Sequence, residues 1–242
     1  MNHCREEELR TAALLGMSAL DKLHAAHVAV FGIGGVGGYV CEALARAGVG
    51  ELTLIDNDTV SLSNLNRQIV ALHSTVGRPK TEVMAQRIAD INPGCIVHTV
   101  NDFYLPEHAD RFPLEHYSYI VDAIDTVSAK IDLAVRATAL GIPLISSMGT
   151  ANKLSPMGFT VTDLAKTTGC PLARVMRREL KQRGITHLKV VYSQESVASP
   201  AADAPALPSN GNRTPPASLP YVPGAAGLLL ASCVVQDLIR SE

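Results

Sequence analysis

A glycine-rich turn near the N-terminus has the residue types and spacing of a phosphate-binding loop. Its glycines, Gly32, Gly34, Gly35 and Gly37, fit the pattern G-x-G-x-x-G. Glycine lets the backbone approach phosphate oxygens closely, and the start of the following helix offers free N–H groups with partial positive charge. Asp56 follows 19 residues after Gly37, which suits a carboxylate that accepts hydrogen bonds from ribose hydroxyls. These residues predict a nucleotide-binding site.

A second group of residues favours ATP over a dinucleotide such as NAD. Asn64, Arg67 and Gln68 form an N-x-x-R-Q pattern after Asp56, and Lys80 follows. The planar fork of arginine and the point charge of lysine both complement phosphate oxygens. Hydride transfer moves no phosphate, so an oxidoreductase has no evident use for two such cations. A Walker sequence G-x-x-x-x-G-K-[ST] is absent, so the predicted triphosphate site is of a different type.

Asp125 is a candidate ligand for Mg²⁺. It follows a predicted strand at 118–123, and ligands of open α/β sheets bind at the carboxyl ends of the strands. Mg²⁺ is commonly held by one or two carboxylates together with substrate phosphates. Asp122 lies three residues earlier, where its side chain should face the other way, and is the weaker candidate. The alternative for Asp125 is a helix-capping role.

Alternating strands and helices are expected to position these residues. The apolar runs predict strands at 27–32, 51–56, 95–100, 118–123, 142–147, 157–162 and 188–193. Helices are predicted at 36–47, 79–91, 128–140, 171–183 and 224–240. Short apolar strands separated by helices are typical of a parallel sheet covered on both faces. We therefore expect a Rossmann-like α/β fold with a mostly parallel sheet and a smaller C-terminal antiparallel extension.

The chain is predicted to form one domain with five parts. These are an N-terminal helical arm (1–26), a nucleotide-binding core (27–150), a second lobe (151–197), a flexible crossover loop (198–223) and a C-terminal helix (224–242). The loop is assigned from composition, because it holds seven of the fourteen prolines and few large apolar residues.

Composition limits the cellular context. Apolar residues make up 47% of the chain and the net charge is −2, so a nucleic acid could be bound only by a local basic patch. The five cysteines are scattered without a C-x-x-C pair, which predicts a reducing compartment and no thiolate zinc site. The eight histidines show no metal-ligand spacing and are expected to be surface or packing residues. We expect a cytoplasmic protein without membrane contact, whose apolar stretch near 221–235 is a buried helix.

A basic stripe is predicted on the helix at 171–183. Arg174, Arg177, Arg178 and Lys181 recur at i, i+3, i+4 and i+7, which places them on one side of a helix. Such a side suits a nucleic-acid backbone. A solvated charged face is the alternative.

These motifs resemble those of the ubiquitin-activating-enzyme-like superfamily, which includes the adenylyltransferases of molybdopterin and thiamine biosynthesis. The resemblance implies a homodimeric enzyme that uses ATP and Mg²⁺ to form an acyl-adenylate. It implies that the glycine turn meets phosphate, that Asp56 binds ribose, that the N-x-x-R-Q residues and Lys80 line the triphosphate, and that Asp125 holds the metal. It also implies that Arg10 reaches into the neighbouring subunit's site.

The second half of the chain resembles the tRNA threonylcarbamoyladenosine dehydratase family. The matching segments are 148–154, 163–167, 170–174 and 191–193. That family activates the free carboxylate of a modified tRNA base with ATP and closes a ring with loss of water, so the resemblance implies tRNA as a partner and a substrate- and tRNA-facing lobe at 151–197. No zinc is expected, because this chain lacks the C-x-x-C pairs that often bind zinc in relatives that pass activated carboxylates to sulfur. Because attacker and target share one molecule, this chemistry needs positioning more than a relay cysteine. Three alternatives stay open. The first is an enzyme that activates a ubiquitin-like sulfur carrier and works with a sulfur-transfer partner protein. The others are an NAD-binding oxidoreductase and a non-catalytic nucleotide-binding scaffold.

Overall fold

The computed structural model describes residues 4–199, 201–205 and 216–240. Its helices are α1 (Leu9–Leu15), α2 (Met17–Ala25), α3 (Gly37–Ala47), α4 (Lys80–Ile91), α5 (Val127–Leu140), α6 (Pro171–Gln182) and α7 (Tyr221–Arg240). Its strands are β1 (His27–Phe31), β2 (Glu51–Ile55), β3 (Ile96–Val100), β4 (Tyr119–Asp122), β5 (Leu144–Ser147), β6 (Phe159–Asp163) and β7 (Lys189–Ser193). Part of the predicted crossover loop, residues 200 and 206–215, lies outside the described residues.

The seven strands form one sheet in the order β3-β2-β1-β4-β5-β7-β6. All neighbouring pairs are parallel except β6 with β7, which is antiparallel. The strand order therefore reverses between β1 and β4, and such a switch point leaves a crevice at the carboxyl ends of the strands. The predicted fold class, with its antiparallel extension, is confirmed.

Helices cover both faces of the sheet because side chains alternate along each strand. Val28 and Val30 of β1 belong to a core shared with α2, α3, α4 and α7, whereas Ala29 and Phe31 face α5. A third apolar cluster joins α5 and α6 to β7. The exception to the predicted two-sided burial is β3, which is an edge strand and exposes Ile96.

The C-terminal helix α7 begins at Tyr221, three residues before its predicted start. Pro223 is compatible with this because a first-turn residue needs no intrahelical N–H bond. Within the part of the chain that the structure describes, α7 alone is long and apolar enough to cross a membrane, but half of its most apolar 18-residue stretch is buried inside the molecule. Gly227 packs against α3 so closely that a Cβ there would lie 2.4 Å from the Val36 carbonyl oxygen. This close packing is that of a core helix.

Candidate active site

A cleft of about 570 Å³ opens at the carboxyl ends of β1, β2 and β4. It lies at the point where the strand order reverses, as expected for ligand sites in such sheets. The sequence-predicted residues that line it are Gly32, Gly34, Gly35, Asp56, Asn64, Arg67, Gln68, Lys80 and Asp125. The fold therefore gathers into one pocket the glycine turn, the carboxylate predicted to bind ribose, both cations and the candidate metal ligand.

The glycines of the turn divide into structural and ligand-facing positions. Gly32 has a φ of 91°, and a Cβ on it would lie 2.7 Å from the Ala123 carbonyl oxygen. A Cβ on Gly37 would lie 1.8 Å from the Gly32 carbonyl oxygen, so Gly37 is required for the tight strand-to-helix turn and does not line the cleft. A Cβ on Gly34 would meet only the Gln68 amide nitrogen, at 3.9 Å. Gly34 therefore faces open space in the cleft.

This division predicts opposite outcomes for two alanine substitutions. Gly37→Ala should prevent the turn from closing and lower the melting temperature sharply, because the clash is with backbone. Gly34→Ala should change the free energy of unfolding by no more than about 0.5 kcal/mol, so the melting temperature should stay nearly the same. It should nevertheless weaken ATP binding. Thermal unfolding and calorimetric ATP titration check the pair, and equal destabilisation by both substitutions would contradict the assignment.

Asp56 is held rigidly at the end of β2. Its two carboxylate oxygens accept hydrogen bonds from the backbone N–H groups of Ile33, at 2.6 Å, and Asp58, at 2.8 Å. The carboxylate therefore ties the phosphate turn to the β2 loop. Since each carboxylate oxygen has a second lone pair, Asp56 can still accept hydrogen bonds from ribose hydroxyls.

The two cations of the cleft differ in their partners. Lys80 is almost completely buried at the start of α4, and its Nζ lies 2.7 Å from Asp58 Oδ2. Arg67 has no carboxylate partner within residues 4–199, 201–205 and 216–240, and its Nη1 donates to the Ser63 carbonyl and the Asn66 side-chain oxygen. Partial burial lowers the pKa of Arg67. An unpaired, partly desolvated guanidinium is an attractive position for an anion.

Gln68 and Asn64 have separate parts in the site. Gln68 is buried, and its side-chain Oε1 finds no hydrogen-bond partner among the described residues. Such an unsatisfied atom is costly unless a ligand or water completes it. Asn64 lines the cleft, but its Oδ1 accepts a hydrogen bond from the Ser61 N–H and caps a short 3₁₀ turn. Asn64 thus shapes the loop that presents Arg67 and Gln68.

Asp125 and Asp122 occupy different environments, as their spacing predicts. Asp125 lies in the loop between β4 and α5, exposed to the cleft, and among the described residues its carboxylate accepts a hydrogen bond only from the Thr126 hydroxyl, at 3.4 Å. Asp122 is completely buried and pairs with the equally buried Lys130, at 2.9 Å. Lys130 also donates to the Ile124 carbonyl, and Asp122 accepts from the Ile124 N–H. The buried ion pair therefore holds Ile124, the residue before Asp125, through two hydrogen bonds.

Sequence reasoning missed the far wall of the cleft, which includes Pro216, Ser218 and Pro223. Asn152, with a φ of 55°, accepts from the Ala217 N–H through its side chain and donates to the Ala217 carbonyl through its backbone N–H. On the other side, the Asn66 amide donates to the Ser218 carbonyl, at 3.0 Å. These contacts join parts of the chain that are far apart in sequence. The one indication in the sequence is Asn152, because asparagine tolerates a positive φ better than most residues.

Ser193 and Glu195 serve the loop after β5 and do not line the cleft. The Glu195 carboxylate accepts from the backbone N–H groups of Leu154 and Ser155, and these bonds lower the pKa of Glu195. Ser193 accepts from the Glu195 N–H, at 3.1 Å. Both side chains therefore support the loop that carries Asn152.

The basic stripe of α6 is smaller than predicted. Arg174, Arg178 and Lys181 are exposed, although Arg178 pairs with Glu179, at 2.8 Å. Arg177 is half-buried, and its Nη1 donates to the carbonyl and hydroxyl oxygens of Thr167. Arg177 therefore anchors the loop before α6, which corrects its place in the predicted stripe. A positional pattern cannot show this, because it does not reveal what packs beside the helix.

Arg10 does not line the cleft of its own chain. It lies on α1 with its side chain exposed to solvent. A part in catalysis would require a second copy of the chain.

A family model described as the ThiF family matches residues 7–240. The chain is similar to a tRNA threonylcarbamoyladenosine dehydratase of Bacillus subtilis (strain 168), with 42% identity over 96% of this chain and 94% of the relative. It is 43% identical to a tRNA threonylcarbamoyladenosine dehydratase of Escherichia coli (strain K12), over 80% of this chain and 75% of the relative.

A solved structure gives a match over almost the whole chain. It is a crystal structure of the E. coli tRNA N6-threonylcarbamoyladenosine dehydratase in complex with ATP, with a TM-score of 0.87 and 37% sequence identity. The match covers 97% of this chain and 94% of that chain.

Proposed function

Because this chain belongs to the ThiF family, we propose that it adenylates the carboxylate of threonylcarbamoyladenosine in tRNA with ATP and then closes a ring with net loss of water. The observation that carries the proposal is the convergence of Gly34, Asp56, Arg67, Lys80 and Asp125 on one cleft. The similarity to dehydratases over 96% of the chain supports this substrate.

The residues of the cleft fit a triphosphate. Gly34 leaves open space beside the turn, Gln68 has an unsatisfied buried oxygen, and Arg67 has an unpaired charge within the described residues. Asp56 would accept the ribose hydroxyls. The phosphates would compete with Asp58 for the ammonium group of Lys80, which lies 2.7 Å from that carboxylate.

Asp125 would hold Mg²⁺. The fit rests on its exposure to the cleft and on the absence of a cation partner for its carboxylate among the described residues. Bound there, the ion would neutralise phosphate charge during transfer.

The reaction proceeds in two displacements. A carboxylate oxygen of the substrate attacks the α-phosphorus of ATP, and pyrophosphate leaves toward Arg67 and Lys80, whose charges stabilise it. The carbonyl carbon then carries AMP, a far better leaving group than oxide. A nearby amide nitrogen of the same base attacks that carbon, loses its proton and expels AMP. Since the second attack is intramolecular, the chain contributes mainly positioning.

Mass spectrometry of tRNA nucleosides tests the proposal directly. Purified protein, ATP and tRNA carrying threonylcarbamoyladenosine should yield a nucleoside lighter by one water, together with AMP and pyrophosphate. Omitting ATP is the control for spontaneous loss of water. An unchanged nucleoside, combined with pyrophosphate exchange that depends on a protein ending in Gly-Gly, would instead support activation of a sulfur carrier.

We expect tRNA to contact the exposed part of the α6 stripe. Replacing Arg174, Arg178 and Lys181 together by alanine should weaken tRNA binding and reduce the slope of log K against log salt concentration by about 0.7–0.9 for each lost phosphate contact. Arg177→Ala is the matched control, since it should cost about 1–3 kcal/mol of stability through lost hydrogen bonds and leave the salt slope unchanged. Filter binding over a salt series measures both, and an unchanged slope in the triple variant would remove α6 from the interface.

A homodimer is part of the proposal, because Arg10 is exposed and outside its own cleft. In a dimer, Arg10 of one subunit would reach the phosphates bound by the other.

All five cysteines are free, which supports the proposed cytoplasmic location.

A further inference from the structure

Two histidines and a glutamate meet on the sheet at the end opposite the cleft. His27 begins β1, Glu51 begins β2, and His98 is in the middle of β3. Their ligand atoms all lie within 4.8 Å of one another. His27 pairs with Glu51 in the sheet register, and His98 pairs with Thr53. Because residues two apart on a strand share a face, Glu51 and Thr53 lie on the same side of the sheet. Their partners His27 and His98 therefore lie on that side too.

We propose that His27, Glu51 and His98 form a binding site for Zn²⁺ or a similar divalent transition metal. Two imidazole nitrogens and one carboxylate oxygen are a ligand set that Zn²⁺ accepts, with water completing the tetrahedron. The alternative is a hydrogen-bonded cluster that binds no metal.

The distances suit a metal centre. With metal–ligand bonds of about 2.1 Å, tetrahedral ligands stand roughly 3.4 Å apart. His27 Nδ1 lies 3.5 Å from Glu51 Oε1, close to that value. His98 Nε2 lies 2.7 Å from the same oxygen, so it must move outward slightly. His98 is half-exposed and has room to do so, while its ring proton shifts from Nε2 to Nδ1.

The surroundings of His27 favour metal ligation. Its Nε2 lies 2.8 Å from the Thr53 hydroxyl, and its ring packs edge-on against Tyr117, with centroids 5.0 Å apart. A metal-ligating histidine commonly uses its second nitrogen in such a bond, which fixes the tautomer and the ring orientation. With a proton on Nε2 donated to Thr53, the unprotonated Nδ1 is an acceptor that lies 3.5 Å from Glu51 Oε1. Two acceptors then face each other, and a cation between them satisfies both.

The site is separate from the proposed catalytic cleft. Glu51 is at the start of β2 and Asp56 follows its end, a distance of roughly 16 Å along an extended strand. A metal at this position would join β3, the exposed edge strand, to β2 and β1. We therefore assign it a structural role that is independent of ATP. In sequence, His27 and His98 are too far apart to suggest ligand spacing, and only the sheet brings them together.

Zinc binding to the full-length, untagged protein tests the proposal. Equilibrium dialysis with zinc sulfate should give one tightly bound ion per chain, and Co²⁺ should bind with the visible absorption of a tetrahedral centre. His98→Ala should weaken zinc binding at least about tenfold, since even loss of an outer-shell partner costs 10–100-fold. Because His98 is half-exposed, the variant should fold, and circular dichroism checks this.

His187→Ala is the matched control. His187 is exposed and stands 2.9 Å from the Asp163 carboxylate, so it is a histidine–carboxylate pair without a second imidazole. Its replacement should leave zinc affinity unchanged, and so should Asp125→Ala, which excludes binding in the cleft. Absence of stoichiometric zinc, or equal affinity in the His98→Ala and His187→Ala variants, would overturn the proposal.

Discussion

Asp125→Ala should fold like the parent protein and lose about 10²–10³-fold in the rate of adenylation, the range seen when one electrostatic contributor to a transition state is removed. The carboxylate is exposed, and the one hydrogen bond that it accepts within the described part of the chain, from the Thr126 hydroxyl, is long at 3.4 Å. Its removal therefore costs little stability. Pyrophosphate release in the presence of modified tRNA measures the activity, and thermal unfolding measures the stability.

The matched control for Asp125 is Asp110→Ala. Asp110 is a fully exposed aspartate outside the cleft, so its loss should change neither activity nor stability. Full turnover by Asp125→Ala would remove the metal assignment.

Mixing Asp125→Ala with Arg10→Ala should restore part of the activity, since a mixed dimer carries one intact site. Failure to restore any would contradict the exchange of Arg10 between subunits.

Lys130→Met, in α5, should lower the free energy of unfolding by about 3–5 kcal/mol, because it leaves the Asp122 carboxylate buried without its counter-ion. Both side chains are almost completely inaccessible to solvent, and their atoms are 2.9 Å apart. Urea denaturation measures the loss. Lys181→Met, on the exposed face of α6, is the control and should stay within about 0.5 kcal/mol.

A double variant separates charge from packing. Asp122→Asn keeps an oxygen for the Ser146 hydroxyl, which now lies 2.6 Å from the carboxylate, but removes the buried charge. Combined with Lys130→Met, it should recover much of the lost stability, because the penalty comes from the unpaired ion. If the double variant is as unstable as the single one, the loss instead reflects packing around Lys130. Any surviving Lys130→Met protein should also adenylate slowly, since the pair holds Ile124 beside Asp125.

The nucleotide-binding half of the fold could be predicted from sequence because its signals are local. The turn from Gly32 to Gly37 follows an apolar strand and opens a helix, so motif and context agree. Parallel strands then bring their carboxyl ends to one edge, which is why Asp56 and Asp125 meet in one cleft although 69 positions separate them. Their catalytic roles stay predictions.

Other features depend on tertiary contacts that periodicity does not encode. Helical spacing places Arg177 in the basic stripe, but its guanidinium group donates hydrogen bonds to Thr167. The pairing of His27 and His98 with Glu51 depends on strand register between three strands. The wall at Ser218 depends on two asparagines far apart in the chain. Such contacts become visible only when the elements are assembled.

The wall formed by residues 216–223 also affects when the protein first becomes able to hold its nucleotide. The phosphate turn is synthesised before Pro216, Ser218 and Pro223, which stand much later in the chain. A nascent chain therefore lacks one wall of the cleft until residues 216–223 have been synthesised and have left the ribosome. A polypeptide terminated before this stretch lacks both this wall and α7, and it should therefore be unable to retain ATP.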